Sequence, residues 1–317
     1  MGAFSPASAR VINPVLTRVA QGYKNAAMVG MALFPRVTVG QRAGNILTFG
    51  RESFMLYNSQ RAPGENTKRV QFGYSGSAYA LLDYSLEGQL PIETQEEAEA
   101  VDNGFTVDMA KTTIDGTQDI MALRLEYAQA QLARTLANYA SSNRVTKTGT
   151  AQWSDYSGTS NPIADAETAK EAIRAATGKR PNVCLMGAAV FAKAKQHPSV
   201  RDYIKYTGRE VATPQLLADF FGVDEVLVGD SIYSNDAGTA FVDVWGKDVV
   251  FAYTVQDSVA NRGTPTYGYT YNLNGYPRVE QPYFERNPKS WMFPVTRAEA
   301  PVIAGAGAGY LIQNAVA

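Results

Sequence analysis

The stretch from 181 to 233, PNVCLMGAAVFAKAKQHPSVRDYIKYTGREVATPQLLADFFGVDEVLVGDSIY, constrains the fold more than any other part of this chain. It sets a short apolar strand, helices and a second apolar strand end to end with almost no connecting loop. Residues 182–186 read as a buried strand that stops at Gly187, where a residue without Cβ permits a sharp turn into a helix from Ala188. Val190, Phe191 and Ala194 keep helical spacing, His197-Pro198 interrupts it, and Val200, Tyr203 and Ile204 resume it in a second short helix. Thr213-Pro214 opens a third, with Thr213 as N-cap and Pro214 at the first helical position, where a missing N–H costs nothing. Leu216, Leu217, Phe220 and Phe221 form its apolar stripe, Gly222 ends it, and residues 223–228 return as a strand closed by Gly229.

Residues 115–141 predict the longest helix, with Met121, Leu125, Ala128, Leu132, Leu136 and Tyr139 at spacings of three and four forming one buried stripe. At 1.5 Å per residue it spans about 40 Å, enough for the backbone of a flat, elongated domain. Residues 45–57 and 70–82 read as strands, and the polar segment NSQRAPGENTKR between them bends at Pro63-Gly64. Two strands of about a dozen residues project a ribbon of about 40 Å. Such a ribbon is marginally stable alone and needs a partner surface. Residues 1–43, punctuated by Pro6, Pro14 and Pro35 and carrying one helix near 13–25, read as an arm that packs on something else.

Residues 93–102 hold Glu93, Glu96, Glu97, Glu99 and Asp102, a solvated acidic helix face. A further helix is predicted over 165–177, ended by Gly178. Beyond Tyr233, the residues Asn235, Asp236 and Gly238 make a turn, and residues 240–245 pair with 249–253 about Gly246. Tyr267, Tyr269 and Tyr271 alternate and so share one strand face, either packed in a sheet or offered to sugars or bases for stacking.

The search for chemistry ends without a catalytic set. His197 is the sole histidine and stands directly before Pro198, and Cys184, the sole cysteine, sits between Val183 and Leu185, where it reads as a buried, inert thiol. A single cysteine allows no intramolecular disulfide and fits a reducing cytoplasm, and one His with one Cys excludes the usual zinc sets. Gly305, Gly307 and Gly309 suggest a phosphate loop, but Tyr310 follows and no helix does; Lys147-Thr148-Gly149 lacks the Ser-x-x-Lys partner motif. Residues 300–317, uncharged but rich in Gly and Ala, read as a terminal strand and tail and not as a membrane span. A formal charge of −1 argues against a chain whose main work is gripping phosphates. No enzyme activity, cofactor or metal is expected.

The order of segments, with GVDEVLVGDSIY following TPQLLADFF, resembles the axial domain of tailed-bacteriophage major capsid proteins of the Hong Kong 97 type. Arm, polar hairpin, long helix and aromatic tail follow that family's chain order over nearly all of the 317 residues. The resemblance implies an α+β Hong Kong 97-type fold: an N-terminal arm (1–44), an extended hairpin loop (45–92), a peripheral domain built on a spine helix (93–164 and 264–317), and an inserted axial domain (165–263). It implies a major capsid protein whose pentamers and hexamers close an icosahedral head around double-stranded DNA without reading its sequence. Such a chain assembles in the bacterial cytoplasm, resides in the virion and contacts no membrane, and its partners are copies of itself, a separate scaffolding protein, a portal and a decoration protein.

Arg61, Lys68 and Arg69 at the hairpin tip are expected to meet an acidic surface of the next subunit, with Glu96, Glu97 and Glu99 as counterparts. Asn235, Asp236 and Gly238 are the axial-turn candidates, and Met121, Leu125, Leu132, Leu136 and Tyr139 the spine-helix core. An encapsulin-type compartment shell, which shares the fold, is the first alternative. A carbohydrate-binding β-protein using the tyrosine face is the second.

Overall fold

The computed structural model describes residues 28–49, 60–61, 66–67, 69, 74–101, 109–205, 213–234, 238, 240–255 and 266–317. The helix expected near 13–25, the bend at Pro63-Gly64, and Lys68, Asp102, Asn235 and Asp236 lie outside the described residues. The strands are β1 (Arg36–Val39), β2 (Ala43–Phe49), β3 (Tyr74–Ala80), β4 (Leu82–Pro91), β5 (Arg144–Thr146), β6 (Val183–Gly187), β7 (Glu225–Gly229), β8 (Ile232–Ser234), β9 (Phe241–Asp243), β10 (Val249–Ala252), β11 (Gly268–Leu273), β12 (Arg278–Val279), β13 (Tyr283–Glu285), β14 (Ser290–Ile303) and β15 (Gly309–Gln313).

Two sheets carry the body. In the first, the 14-residue strand β14 is flanked on one edge by β4 over ten residues, Leu82 to Pro91, and on the other by β13, β12 and β11 in succession, with β1 parallel to β11 outside them. In the second, the order is β5-β15-β10-β6-β7, and β6 and β7 run parallel because helices cross over between them. Every residue of β6 is buried, which is why VCLMG reads as an unbroken apolar run. One face of this sheet meets the helices Pro162–Thr177, Ala188–Ala194, Pro198–Lys205 and Pro214–Phe221 in a core that includes Met186, Val226, Phe251, Leu217, Phe221 and Trp153. The other face, with Leu185, Val250 and Leu311, packs on Leu33, Phe34, Ala130, Ala133 and Trp245.

The helix signals hold where side chains close their own ends. Thr213 Oγ1 accepts from Leu216 N at 3.3 Å, and Gly222 takes the left-handed conformation at φ 65°. The helix expected from 165 begins at Pro162, because Asn161 accepts from Ile163 N and Ala164 N. Gly187 needs a different explanation from the one its sequence offers. Its φ is an ordinary −67°, but a Cβ there would lie 1.9 Å from the Gly246 carbonyl oxygen, so close approach of two backbones, not a turn, excludes a side chain.

The long helix corrects three expectations. It runs Met109–Arg134, about 39 Å, instead of 115–141. Leu136 lies beyond it in a single 3₁₀ turn, and Tyr139 lies beyond that, so neither belongs to the helix. The physical reason is side-chain capping: Asn138 Nδ2 donates to the Leu132 carbonyl at 2.8 Å and the Tyr139 hydroxyl to the Ala133 carbonyl at 2.7 Å, replacing the turn that would have followed. The buried stripe is also not wholly apolar: Met121 and Leu125 are buried and Leu132 half-buried, but Thr117, Gln118, Glu126 and Gln129 are buried with them. Its N-terminal part, with Ile114 and Met121, faces the first sheet beside Leu90, Phe293 and Val295; Ala130 and Ala133 face the second. The helix thus joins the two cores.

Three strand pairings differ from expectation. Residues 240–245 do not pair with 249–253: β9 pairs with β8 in a two-stranded ribbon, whereas β10 lies between β6 and β15. The second arm of the hairpin does not stop at Leu82 but continues as β4 along β14. The glycine-rich terminus supplies β15 to the interior of the second sheet, beside β5, so that sheet combines residues 144–146 and 309–313 with strands from the 165–263 segment. Gly309 fits there because a Cβ would meet the Tyr267 ring at 2.4 Å.

Candidate assembly surfaces

Strands β2 and β3 pair antiparallel from Ala43 opposite Ala80 to Phe49 opposite Tyr74, a ribbon with no third strand beside it among the described residues. Its root is built. Tyr79 is buried and stacks on Tyr271 of β11 with centroids 4.4 Å apart, Leu81 N donates to the Arg42 carbonyl at 2.8 Å, and Arg42 pairs with Asp83 at 2.6 Å. The stack fixes where the ribbon leaves the body, and the Arg42–Asp83 pair, half exposed, adds little stability of its own. Arg61 and Arg69 are exposed. Glu93 and Glu96 are exposed on the helix Ile92–Val101, to which Glu97 and Glu99 also belong. Gly238, exposed at φ 64°, lies between the two strands of the β8–β9 ribbon.

That second ribbon carries the most exposed apolar group on the described surface, Phe241 at 77%, beside exposed Ile232 and Val242. Tyr233 holds it to the long helix by an edge-on contact with Tyr127, centroids 4.9 Å apart. A shallow groove of about 390 Å³ separates Ile232 and Asp230 from Asp119, Ile120 and Leu123 of the long helix, with Met28 at its wall. Apolar surface of this kind, rimmed by acidic groups, is characteristic of contact surfaces.

One buried carboxylate ties the pieces together. Glu126, near the middle of the long helix, accepts from Trp245 Nε1 at 2.6 Å, Gly30 N at 2.8 Å and Val29 N at 3.1 Å. Burial raises its pKa, while the three N–H donors pull it back down. The sequence signal was available in principle: Gln118, Glu126 and Gln129 are polar residues at helical spacing on the buried face.

The tyrosine face and the histidine prove to be structural. Tyr269, Tyr271 and Tyr276 are buried, and Tyr267, which precedes β11, turns instead into the other core, where its hydroxyl bonds that of Tyr139. Burial raises both of those phenols. The three alternating tyrosines therefore do not share one open face, and the sugar-stacking reading loses its surface. His197 Nδ1 accepts from Ser199 N at 3.2 Å and so caps the helix Pro198–Lys205. Its Nε2 donates to Ser160 Oγ at 2.8 Å, because that hydroxyl is committed to the Asp155 carbonyl. The pair is spent on closing a loop onto a helix. Cys184 is buried, which raises its thiol well above the usual range. No helix among the described residues is long and apolar enough to cross a membrane.

Known proteins place this architecture. The family described as Phage major capsid protein E matches residues 137–296. The major capsid protein of Burkholderia phage BcepMu is 34% identical over 309 residues, 96% of this chain and 97% of that one. That of Pseudomonas phage JBD67 is 24% identical over 82% of each. A phage-related protein of Bordetella bronchiseptica RB50 of known crystal structure is 37% identical, with a TM-score of 0.82 over 97% of this chain and 98% of that one. At the level of fold alone, the capsid of cyanophage P-SCSP1u (12% identity, TM-score 0.56, 99% and 92% covered) and the SrpI encapsulin of Synechococcus elongatus PCC 7942 (11%, 0.52, 96% and 96%) share the architecture. With one-third identity along almost the whole of a phage capsid relative, and the same fold in capsids far removed in sequence, the chain belongs to the phage major capsid protein family, of the Hong Kong 97-like fold.

Proposed function

We propose that this capsid protein closes as pentamers and hexamers into an icosahedral shell around double-stranded DNA, each subunit stabilised by laying its projecting ribbon on the next. The observation that carries the reading is the β2–β3 ribbon: seven residue pairs, rooted by the Tyr79–Tyr271 stack and with no third strand beside them among the described residues, a length of sheet that is marginal without a neighbour. Head-to-tail contacts of this kind generate closed rings. Arg61, Lys68 and Arg69 dock on the acidic helix bearing Glu96, Glu97 and Glu99, and the β8–β9 ribbon with Asn235, Asp236 and Gly238 lies at the ring axis. Residues 165–263 form the axial unit, with the arm, hairpin and remaining body arranged around it. The subunit acts by contact and catalyses nothing. It works with a separate scaffolding protein, a portal and a decoration protein in the host cytoplasm, and ends in the virion. The near-neutral charge of −1 suits a wall that neither holds the DNA fast nor opposes its entry.

Negative-stain microscopy of the expressed chain, alone and with its scaffold, tests this: closed particles are expected. A compact monomer at high concentration under both conditions would refute it. Arg61→Glu/Lys68→Glu/Arg69→Glu is expected to abolish closed particles, and normal particles from that variant would remove the charge pairing.

A further inference from the structure

The interface between the long helix and the first sheet changes character along its length. Alternate residues of β14 face the helix: Phe293 and Val295, then Arg297 and Glu299. The first part is an apolar core with Leu90, Ile114 and Met121. The second is buried but polar, and its hydrogen bonds do not close. Glu299 is 1% exposed, yet among the described residues neither carboxylate oxygen has a hydrogen-bond partner. Arg297 Nη1 lies 3.9 Å from it and Arg36 Nη2 4.0 Å, both beyond direct hydrogen-bond range. Arg297 turns its Nε and Nη2 to Gln118 Oε1, leaving Gln118 Nε2, also buried, unpaired. Arg124, stacked over Tyr84 of β4, adds a further positive charge near Glu299, and Asn272 of β11 stands opposite it in the ladder. Burial raises the Glu299 pKa against the pull of Arg297, Arg36 and Arg124.

A buried carboxylate with both oxygens unsatisfied is strongly unfavourable. These separations exceed a direct hydrogen bond, and a water set to one side of the line between the groups reaches both, accepting from the guanidinium and donating to the carboxylate. We propose that the polar half of this seam is a buried water site, in which ordered water joins the Glu299 carboxylate to Arg297 and Arg36 and satisfies the Gln118 amide. Water exchanges its partners as the groups around it shift, so helix and sheet can adjust against each other here while the apolar half stays packed. For a subunit that must fit both fivefold and sixfold rings, this adjustment is the site's use, and that part rests on the shell reading above.

An experimental structure that resolves ordered water is expected to show density within hydrogen-bond reach of both Glu299 oxygens. Direct Arg–Glu contact in place of the gap, or an ion in it, would overturn the site. The variant Gln118→Leu/Arg297→Met/Glu299→Leu removes the need for water and is expected to raise the unfolding midpoint by several degrees, since apolar replacement of buried ionic groups is often stabilising. It is also expected to cut the fraction of closed particles severalfold. Glu299→Gln, which keeps water partners, is expected to assemble normally. Full closure by the triple variant, or equal failure of Glu299→Gln, overturns the adjustment role. Failure of the wild type to close under the same conditions sinks the shell reading instead, with the density still deciding the water site.

Discussion

Replacing Glu126 by Gln tests the claim that one carboxylate holds the start of the described chain, the long helix and the Trp245 loop together. Glu126 accepts three N–H groups at 2.6, 2.8 and 3.1 Å, and hydrogen bonds to a charged group contribute about 1.5–3 kcal/mol each. Gln keeps one acceptor oxygen but turns an NH₂ toward donors, so one or two of those bonds are lost and a buried N–H is left unpaired. Relief of the buried charge offsets part of this, leaving a net loss of about 2 kcal/mol. For a chain of 317 residues, with an unfolding entropy of about 2 cal/mol/K per residue, that is a fall in Tm of about 3 °C. The assay is a thermal scan followed by tryptophan fluorescence, with Trp245→Phe and the double variant completing a cycle. Because both changes remove the same bond, their losses are expected to be less than additive by at least about 1 kcal/mol. The pH dependence has a definite sign. The folded carboxyl holds its proton more tightly than the unfolded one, so its contribution is greatest below the unfolded pKa and declines as pH rises through the folded value. The Glu126→Gln change would remove that decline. A Tm within about 1 °C of wild type together with strict additivity would refute the reasoning.

Gly187→Ala, whose Cβ would meet the Gly246 carbonyl, is expected to destabilise by about 3 kcal/mol, whereas Gly116→Ala, in the long helix with nothing within 4 Å, is expected to stabilise by about 0.5–1 kcal/mol; urea midpoints check both. Burial lowers the His197 pKa, so its contribution is present above the unfolded value and is lost as pH falls through the folded one. His197→Asn, which can still cap the helix, is expected to lose less stability than wild type between about pH 7 and pH 5. Tyr79→Ala, which removes a buried ring from the ribbon root, is expected to cost about 3 kcal/mol locally and to speed hydrogen exchange in β2 and β3 more than in β6 and β10.

The local elements were legible wherever a residue acts on its own backbone or on neighbours a few positions away. Thr213, Pro214 and Gly222 bound a helix, five buried residues in a row make β6, and two β-like runs pair with each other as β2 and β3, because caps and period are properties of short stretches. The order of those elements was enough to indicate the family. What the chain does not carry locally is which distant groups meet. Nothing near Ala133 in sequence announces that the Tyr139 hydroxyl will end the helix there, or that the carbonyl of Gly246 will come against Gly187. Nor does residue type distinguish Glu126 and Glu299, buried on packed faces, from Glu93 and Glu96, exposed on a short helix. Burial is decided by which surfaces the two sheets and the long helix bring together, and only that tertiary arrangement sets the cost of a charge and the partners that offset it.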